Sequence, residues 1–347
     1  IETLRRVDRV AVSDLSLGEG SSRTDFLSRI TRVVVIGGAP GPELGGAAQM
    51  RPAAPVRAEA VLGDARCDDG VDAAVFRTPV RPNSAGPMRV IVSTTEDPGP
   101  VTLTLFNDAG ERIDSELHRT GGPPFGYWVD IDHPSAGRWT AVLGDGPRVV
   151  ACERFVVARH APEILPRRPQ TPAWIPAWSW ERDTENLFAA FVEQLFLEPR
   201  LPDGDETTWH GLQVLLNDRS RNLLHDHLLQ GEEAGLDLTP DCADLPYFLR
   251  AYFAWKLRLP FAWRQCRRGR EGRPPECSAE PATNLMLVDG STDVVAFRNL
   301  ARTLGQNVHS STQRTVPTAE ASDVYPVPLT REALRPGTVF ADPYGHV

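Results

Sequence analysis

Residues 88–106, MRVIVSTTEDPGPVTLTLF, hold two strand-forming runs around an acidic Pro-Gly-Pro turn. Met88–Ser93 is nearly continuous in apolar and β-branched side chains, and Val101–Phe106 alternates Thr with apolar residues. The same grammar continues downstream. The turn Asn107–Gly110 leads into Glu111–His118, and Tyr127–Ile131 (YWVDI) is followed by the turn Pro134–Gly137. Arg138–Leu143 (RWTAVL), the turn Gly144–Pro147 and Arg148–Ala158 complete the series. Short strands about every 8–12 residues, parted by Gly, Pro and Asp, predict an N-terminal antiparallel β-sandwich.

Upstream, Arg32–Gly38 (RVVVIGG) is the longest apolar run and predicts a single strand, and residues 39–60, rich in Gly, Pro and Ala, read as a loop. The glycines from Gly37 to Gly46 lack both the GK[ST] ending and the GxGxxG spacing, which excludes a phosphate-binding loop. Residues 1–160 are therefore read as one β-rich domain, with 1–60 only loosely placed. Over 161–182 the chain becomes a linker carrying Pro162, Pro166, Pro169, Pro172 and Pro176, interleaved with Trp174, Trp178 and Trp180. Proline at this density favours extended backbone. Tryptophans on a free strap would expose too much apolar surface, so the strap is expected to dock on a neighbouring domain.

Past the linker the period becomes helical. Leu187, Phe188, Phe191, Val192, Leu195 and Phe196 form one stripe behind an Asp183/Thr184 cap. Leu212 to Leu228 suggests a second helical region broken near Asn217-Asp218, and a third runs from about Asp241 to Leu257. The fourth has Asp293 as cap, Phe297, Leu300, Ala301 and Leu304 as its face, and Gly305 as its stop. Gly337–Ala341 then reads as a strand, with another beginning at His346. Helices followed by strands predict an α+β domain over 183–347.

The 347 residues are about twice a 150-residue domain, in keeping with two domains. Hydrophobic residues at 41% and charged residues at 24% are globular proportions and exclude a disordered tail protein. No apolar run reaches the ~20 residues of a membrane span. A net charge of −9, with a pI near 5.5, argues against a nucleic-acid partner.

Of the five cysteines, two disulfides would leave one thiol over. Cys266 and Cys277 flank a polar loop, RRGREGRPPE, suited to a local staple; Cys67 and Cys152 share the first half; Cys242 is then unpaired. Other pairings stay open at this point. Such staples persist in oxidising compartments, so a periplasmic or secreted protein of the cell envelope is expected. The sequence begins at Ile1 without a signal-type segment, so any export signal is expected to have been removed or to lie outside it.

Cys242 sits in Thr239–Leu245 (TPDCADL), directly before the apolar stretch LPYFLRAYFAWKL. The positive end of a helix dipole and its unpaired amides favour a thiolate and can serve as an oxyanion hole. Asp241 is a candidate cap, although its charge opposes thiolate formation. Pro246 allows a later helix start near Asp244, leaving Cys242 in the preceding turn. His346, at a strand start after the turn Asp342–Gly345, is the best placed base.

Asp241-Cys242, Pro336-Gly337-Thr338-Val339-Phe340 and Gly345-His346-Val347 together resemble the pattern of the NlpC/P60 superfamily of papain-like cysteine peptidases, over about residues 183–347. The resemblance implies a helices-then-sheet hydrolase domain with Cys242 as nucleophile, His346 as general base, no cofactor or metal, and peptide bonds of peptidoglycan stems as substrate. Ala243-Asp244 stands where the family has Ser-Gly, and Thr338 where it has Asp. The family continues past its His strand with further strands and a third polar residue, so the protein is expected to extend beyond Val347. Trp209, His309 and Tyr344 are the candidates for lining a substrate cleft. Transglutaminase-like acyl transferases share the Cys-helix, His-strand layout. A reading from another class is an inactive papain-like scaffold beside a sandwich that binds a sugar or protein ligand. His225 and His227, two apart on a predicted helix surface, point to different faces and make no zinc pair.

Overall fold

The computed structural model describes residues 33–35, 73–145, 148–197, 211–267, 276–308, 323–330 and 333–340. They form a mixed α+β structure in two compact units. One unit holds 73–168 and 177–238; the other holds the first described strand, β1 (Val33–Val35), with Pro169–Pro176 and the described residues from Thr239 onward.

The first unit is the expected sandwich. Its first sheet runs β2 (Ala73–Thr78), β3 (Met88–Thr94), β7 (Phe125–Ile131), β6 (His118–Arg119). Its second runs β5 (Arg112–Ile113), β4 (Thr102–Phe106), β8 (Gly137–Gly144), β9 (Val149–Val157). All these pairings are antiparallel. β2 falls where the sequence reading placed no strand. Glu111–His118, expected as one strand, is split: β5 pairs with β4 and β6 with β7, so the chain changes sheets between Ile113 and His118. The core takes alternate residues from both sheets, among them Met88, Val90, Val92, Leu105, Tyr127, Val129, Trp139, Leu143 and Phe155. Each large side chain buried this way contributes about 1.5–3 kcal/mol relative to exposure.

The outer face of the first sheet is covered as well. Every residue of β3 is buried, including Arg89, Ile91 and Ser93 on the side away from the sandwich core. The cover is α1 (Arg182–Leu195). Gly126 lies beneath it, and a Cβ there would come within 3.0 Å of the Ala190 methyl. Ser93 Oγ donates to the Asp183 carbonyl at 3.3 Å, Asn186 Nδ2 to Thr95 Oγ1 at 2.9 Å, and the Gly121 amide to Glu193 Oε1 at 3.0 Å. Residues 177–238, of which the sequence reading put 177–182 in the linker and 183–238 in the C-terminal domain, thus group with the sandwich. The cap of α1 is Glu181 rather than Asp183/Thr184; the Glu181 amide donates to Thr184 Oγ1 at 2.9 Å. The break foreseen near Asn217-Asp218 is where α2 (Leu212–Asn217) ends: Asp218 Oδ1 accepts from the Ser220 amide at 2.9 Å and from its hydroxyl at 2.6 Å, turning the chain.

In the second unit β10 (Thr171–Pro172) pairs with β15 (Leu287–Val288), drawing the proline-rich strap into the structure. Trp174 is buried, its indole N–H donates to the Leu259 carbonyl at 2.7 Å, and its ring packs against Phe261 and Phe297. α3 (Leu245–Lys256) starts later than Asp241, which puts Pro246 in the first turn where its missing N–H costs nothing. α4 (Asp293–Asn307) is capped by Thr292, whose Oγ1 accepts from the Val295 amide at 3.2 Å; Asp293 is its first residue. Gly305 does not stop α4. It lies inside the helix, where a Cβ would meet the Phe248 ring of α3 at 3.3 Å. The expected face of α4 is fully buried, and Phe297 stacks on Trp255 at 4.4 Å between ring centroids.

Small antiparallel pairs complete this unit: β11 (Ala262–Trp263) with β14 (Ala282–Thr283), and β12 (Cys266–Arg267) with β13 (Glu276–Cys277). The foreseen staple joins Cys266 to Cys277 across the second pair. β1 lies between β16 (Tyr325–Val327) and β17 (Thr338–Phe340). The strand expected within Arg32–Gly38 therefore pairs with the end of the chain. Phe297→Ala is expected to cost about 3–5 kcal/mol by opening the aromatic cluster of α3 and α4. Val156→Ala, at an exposed β9 position, should change stability by less than about 0.5 kcal/mol; denaturant midpoints distinguish the two.

Candidate functional site

The turn that enters α3 is built by Asp241. Its carbonyl accepts from the Leu245 amide at 3.0 Å, and its Oδ1 accepts from the amides of Ala243 at 2.8 Å and Asp244 at 3.1 Å. Cys242 lies in this turn, exposed and free. Cys266 and Cys277 are joined to each other, and Cys152 is also disulfide-bonded. Cys67, the pairing partner foreseen for Cys152, lies outside the described residues, as do His346, Trp209, His309 and Tyr344. Of the predicted site residues Cys242 alone is described, three residues before the start of a helix that is buried along most of its length.

Asp244, which the sequence reading treated as a possible helix start and as part of the departure from the family's Ser-Gly, is a chemically distinctive neighbour. It is buried, and among the described residues its Oδ1 has no hydrogen-bond partner. Its Oδ2 lies 3.5 Å from where a Cβ on Gly305 would stand, so the carboxyl faces the last turn of α4, the negative end of that helix. Burial, followed by repulsion from Asp241, pushes its pKa up to about 7.

Three further carboxylates meet in the sandwich unit. Oxygens of Asp226, Glu232 and Glu233 lie within 4.8 Å of one another, close enough to hold a metal ion. They already hold the loop: Glu232 accepts from the amides of Leu228 at 2.7 Å and Gln230 at 3.0 Å, Glu233 from Asp226 at 3.1 Å, and Asp226 from Gly231 at 2.8 Å. Burial, with the neighbouring glutamates, pushes Asp226 up to about 6. His227 is not on a solvated helix surface as expected; it is buried in a turn, with Nδ1 3.2 Å from Thr78 Oγ1.

A cavity of about 310 Å3 opens on the outer face of the first sheet, lined by Arg89, His118, Trp128, Asp130, Gln194, Leu197, Ser220 and Arg221. Sequence reasoning passed over it, although the signal was present: in YWVDI, Trp128 and Asp130 alternate with the core residues Tyr127, Val129 and Ile131 and must face the other way. The chain matches no protein-family model and no curated protein sequence.

The raised Asp244 sets a pH dependence with a definite sign. Its folded pKa of about 7 lies above the ordinary 3.8, so its contribution is full below about pH 4 and is lost as pH rises through 7. Asp244→Asn is expected to flatten the decline in melting temperature between pH 4 and pH 8; an unchanged decline would place its origin elsewhere.

Proposed function

We propose that the unit carrying Cys242 is a cysteine hydrolase of peptide-type amide bonds, acting on stem peptides of peptidoglycan. The observation that carries the reading is an exposed free thiol at the mouth of a buried helix, in a protein whose other described cysteines are tied in disulfides. In the same unit β17 ends shortly before Gly345-His346, in keeping with the resemblance that assigns His346 as base. In this reading the Cys242 thiolate attacks the carbonyl carbon and the C–N bond breaks as His346 protonates the leaving amine. Water then adds to the thioester, releasing the acid and restoring the thiol. An amine in place of water would give the transglutaminase-like acyl transfer with the same two residues. The Cys266–Cys277 staple supports an oxidising compartment, and hence a periplasmic or secreted location.

One observation favours a second reading. Asp241 Oδ1 engages the amides of Ala243 and Asp244, which an oxyanion hole at this helix end would need. If both stay engaged, the unit is an inactive scaffold and binding is left to the sandwich.

Muropeptide hydrolysis followed by mass spectrometry separates the two. The hydrolase reading expects amide cleavage that Cys242→Ala lowers by about 10³-fold or more. Because Cys242 is exposed, that variant should keep its melting temperature. Equal cleavage by both proteins, or none by either, contradicts the hydrolase reading.

A further inference from the structure

We propose that the cavity on the outer face of the sandwich is a binding site for one neutral sugar ring. The inference is independent of the chemistry at Cys242, since every lining residue belongs to the sandwich unit.

The floor of the cavity is the outward side of β3 and β7. Arg89 is buried, its Nε and Nη2 donate to the two oxygens of Asp130 at 2.9 and 2.8 Å, and its Nη1 donates to the Asn222 carbonyl at 3.1 Å. On the edge strand β6, directly opposite Trp128 in register, His118 stacks on the indole with centroids 5.3 Å apart and planes 21° apart. Gln194 comes from the last turn of α1, Leu197 from just past its end, and Ser220 and Arg221 from the turn after α2.

Two features select the ligand. The first is charge. Arg89 shares the Asp130 carboxylate with Arg219, and Arg221 sits 3.5 Å from Asp218 while donating to the carbonyls of Leu195 and Leu197. The nitrogens of both lining arginines already face protein oxygens, so a free anion gains few new hydrogen bonds there. The second is the unused hydrogen-bonding capacity. Trp128 is only 4% exposed, yet among the described residues its indole N–H has no acceptor. Trp128 lines this cavity. The His118 ring nitrogens likewise have no partner among the described residues, and Gln194 uses its Nε2 on the Ser220 carbonyl at 2.9 Å while its Oε1 accepts nothing there. Donors from Trp128 and His118 stand beside acceptors from Gln194 and the partly exposed Asp130. A vicinal diol, in which each hydroxyl both donates and accepts, matches that mixture, and the half-buried His118 ring, backed by Trp128, offers a surface for the C–H face of the ring. The volume is at the small end for ligand sites and suits a single ring.

The test uses the full chain with saturation-transfer NMR against glucose, galactose, mannose and N-acetylglucosamine, and with inorganic phosphate as the anionic probe. At least one sugar should bind with a Kd of about 1 mM or tighter. His118→Ala and Trp128→Phe, the second keeping an aromatic ring but losing the N–H, should each weaken it about tenfold. Melting temperatures identify any variant that has lost its fold, in which case the other decides. Binding of phosphate without any sugar, binding of no probe, or sugar binding that survives both substitutions overturns the proposal.

Discussion

The outer face of the first sheet is covered, and the cover withdraws Arg89 from water inside a strand that is buried on both sides. A guanidinium withdrawn from water costs several kcal/mol unless it is paired and its donors are used. Asp130, opposite it on β7, takes two of those donors and the Asn222 carbonyl takes a third. Burial alone would raise the Asp130 carboxyl, but Arg89 and Arg219 outweigh it and hold Asp130 below the ordinary carboxylate range. The turn at 218–222 therefore has to lie on the sheet, and α1 has to cover Ile91 and Ser93 beside it. This constraint makes 177–238 part of the sandwich and shapes the walls of its cavity.

The other unit is organised by aromatic packing. Trp174 from the proline-rich strap, Trp255 from α3 and Phe297 from α4 share one cluster, so segments far apart in sequence are fixed to one another. Lys256, the lone lysine of the chain, is buried at the end of α3 over the rings of Tyr252 and Trp255. With α3 anchored along its length, its entry turn is the part left to solvent, and Cys242 sits there. Asp244, two residues on, points the other way into α4 with an uncompensated oxygen, a strained choice for a helix start whose cost is lowest when the carboxyl is protonated.

Much of the sandwich was legible in the sequence because Val101–Phe106, Tyr127–Ile131 and Arg138–Leu143 carry both the strand period and the turn residues between them. The face of α4 and the staple at Cys266–Cys277 were legible for the same reason, as local patterns. The allegiance of α1 was not. Its apolar stripe reports that one face is buried and nothing about which surface buries it. The pairing of β1 with β16 and β17 was hidden likewise, since a short apolar run names no partner. At the candidate site, Cys242 stood out through its odd count and its place before an apolar helix. The role of Asp244 depends on a close approach at Gly305, a tertiary contact that no spacing announces.

The account turns on whether Cys242 and His346 act as a pair. The direct measurement is the rate of iodoacetamide alkylation at Cys242 in the non-reduced protein between pH 5 and 8, compared with the His346→Ala variant, with every cysteine assigned by mass spectrometry. The account predicts alkylation confined to Cys242 and clearly slowed by the substitution at the acidic end of the range. Equal rates in the two proteins, or a Cys242 found joined to another sulfur, would contradict it.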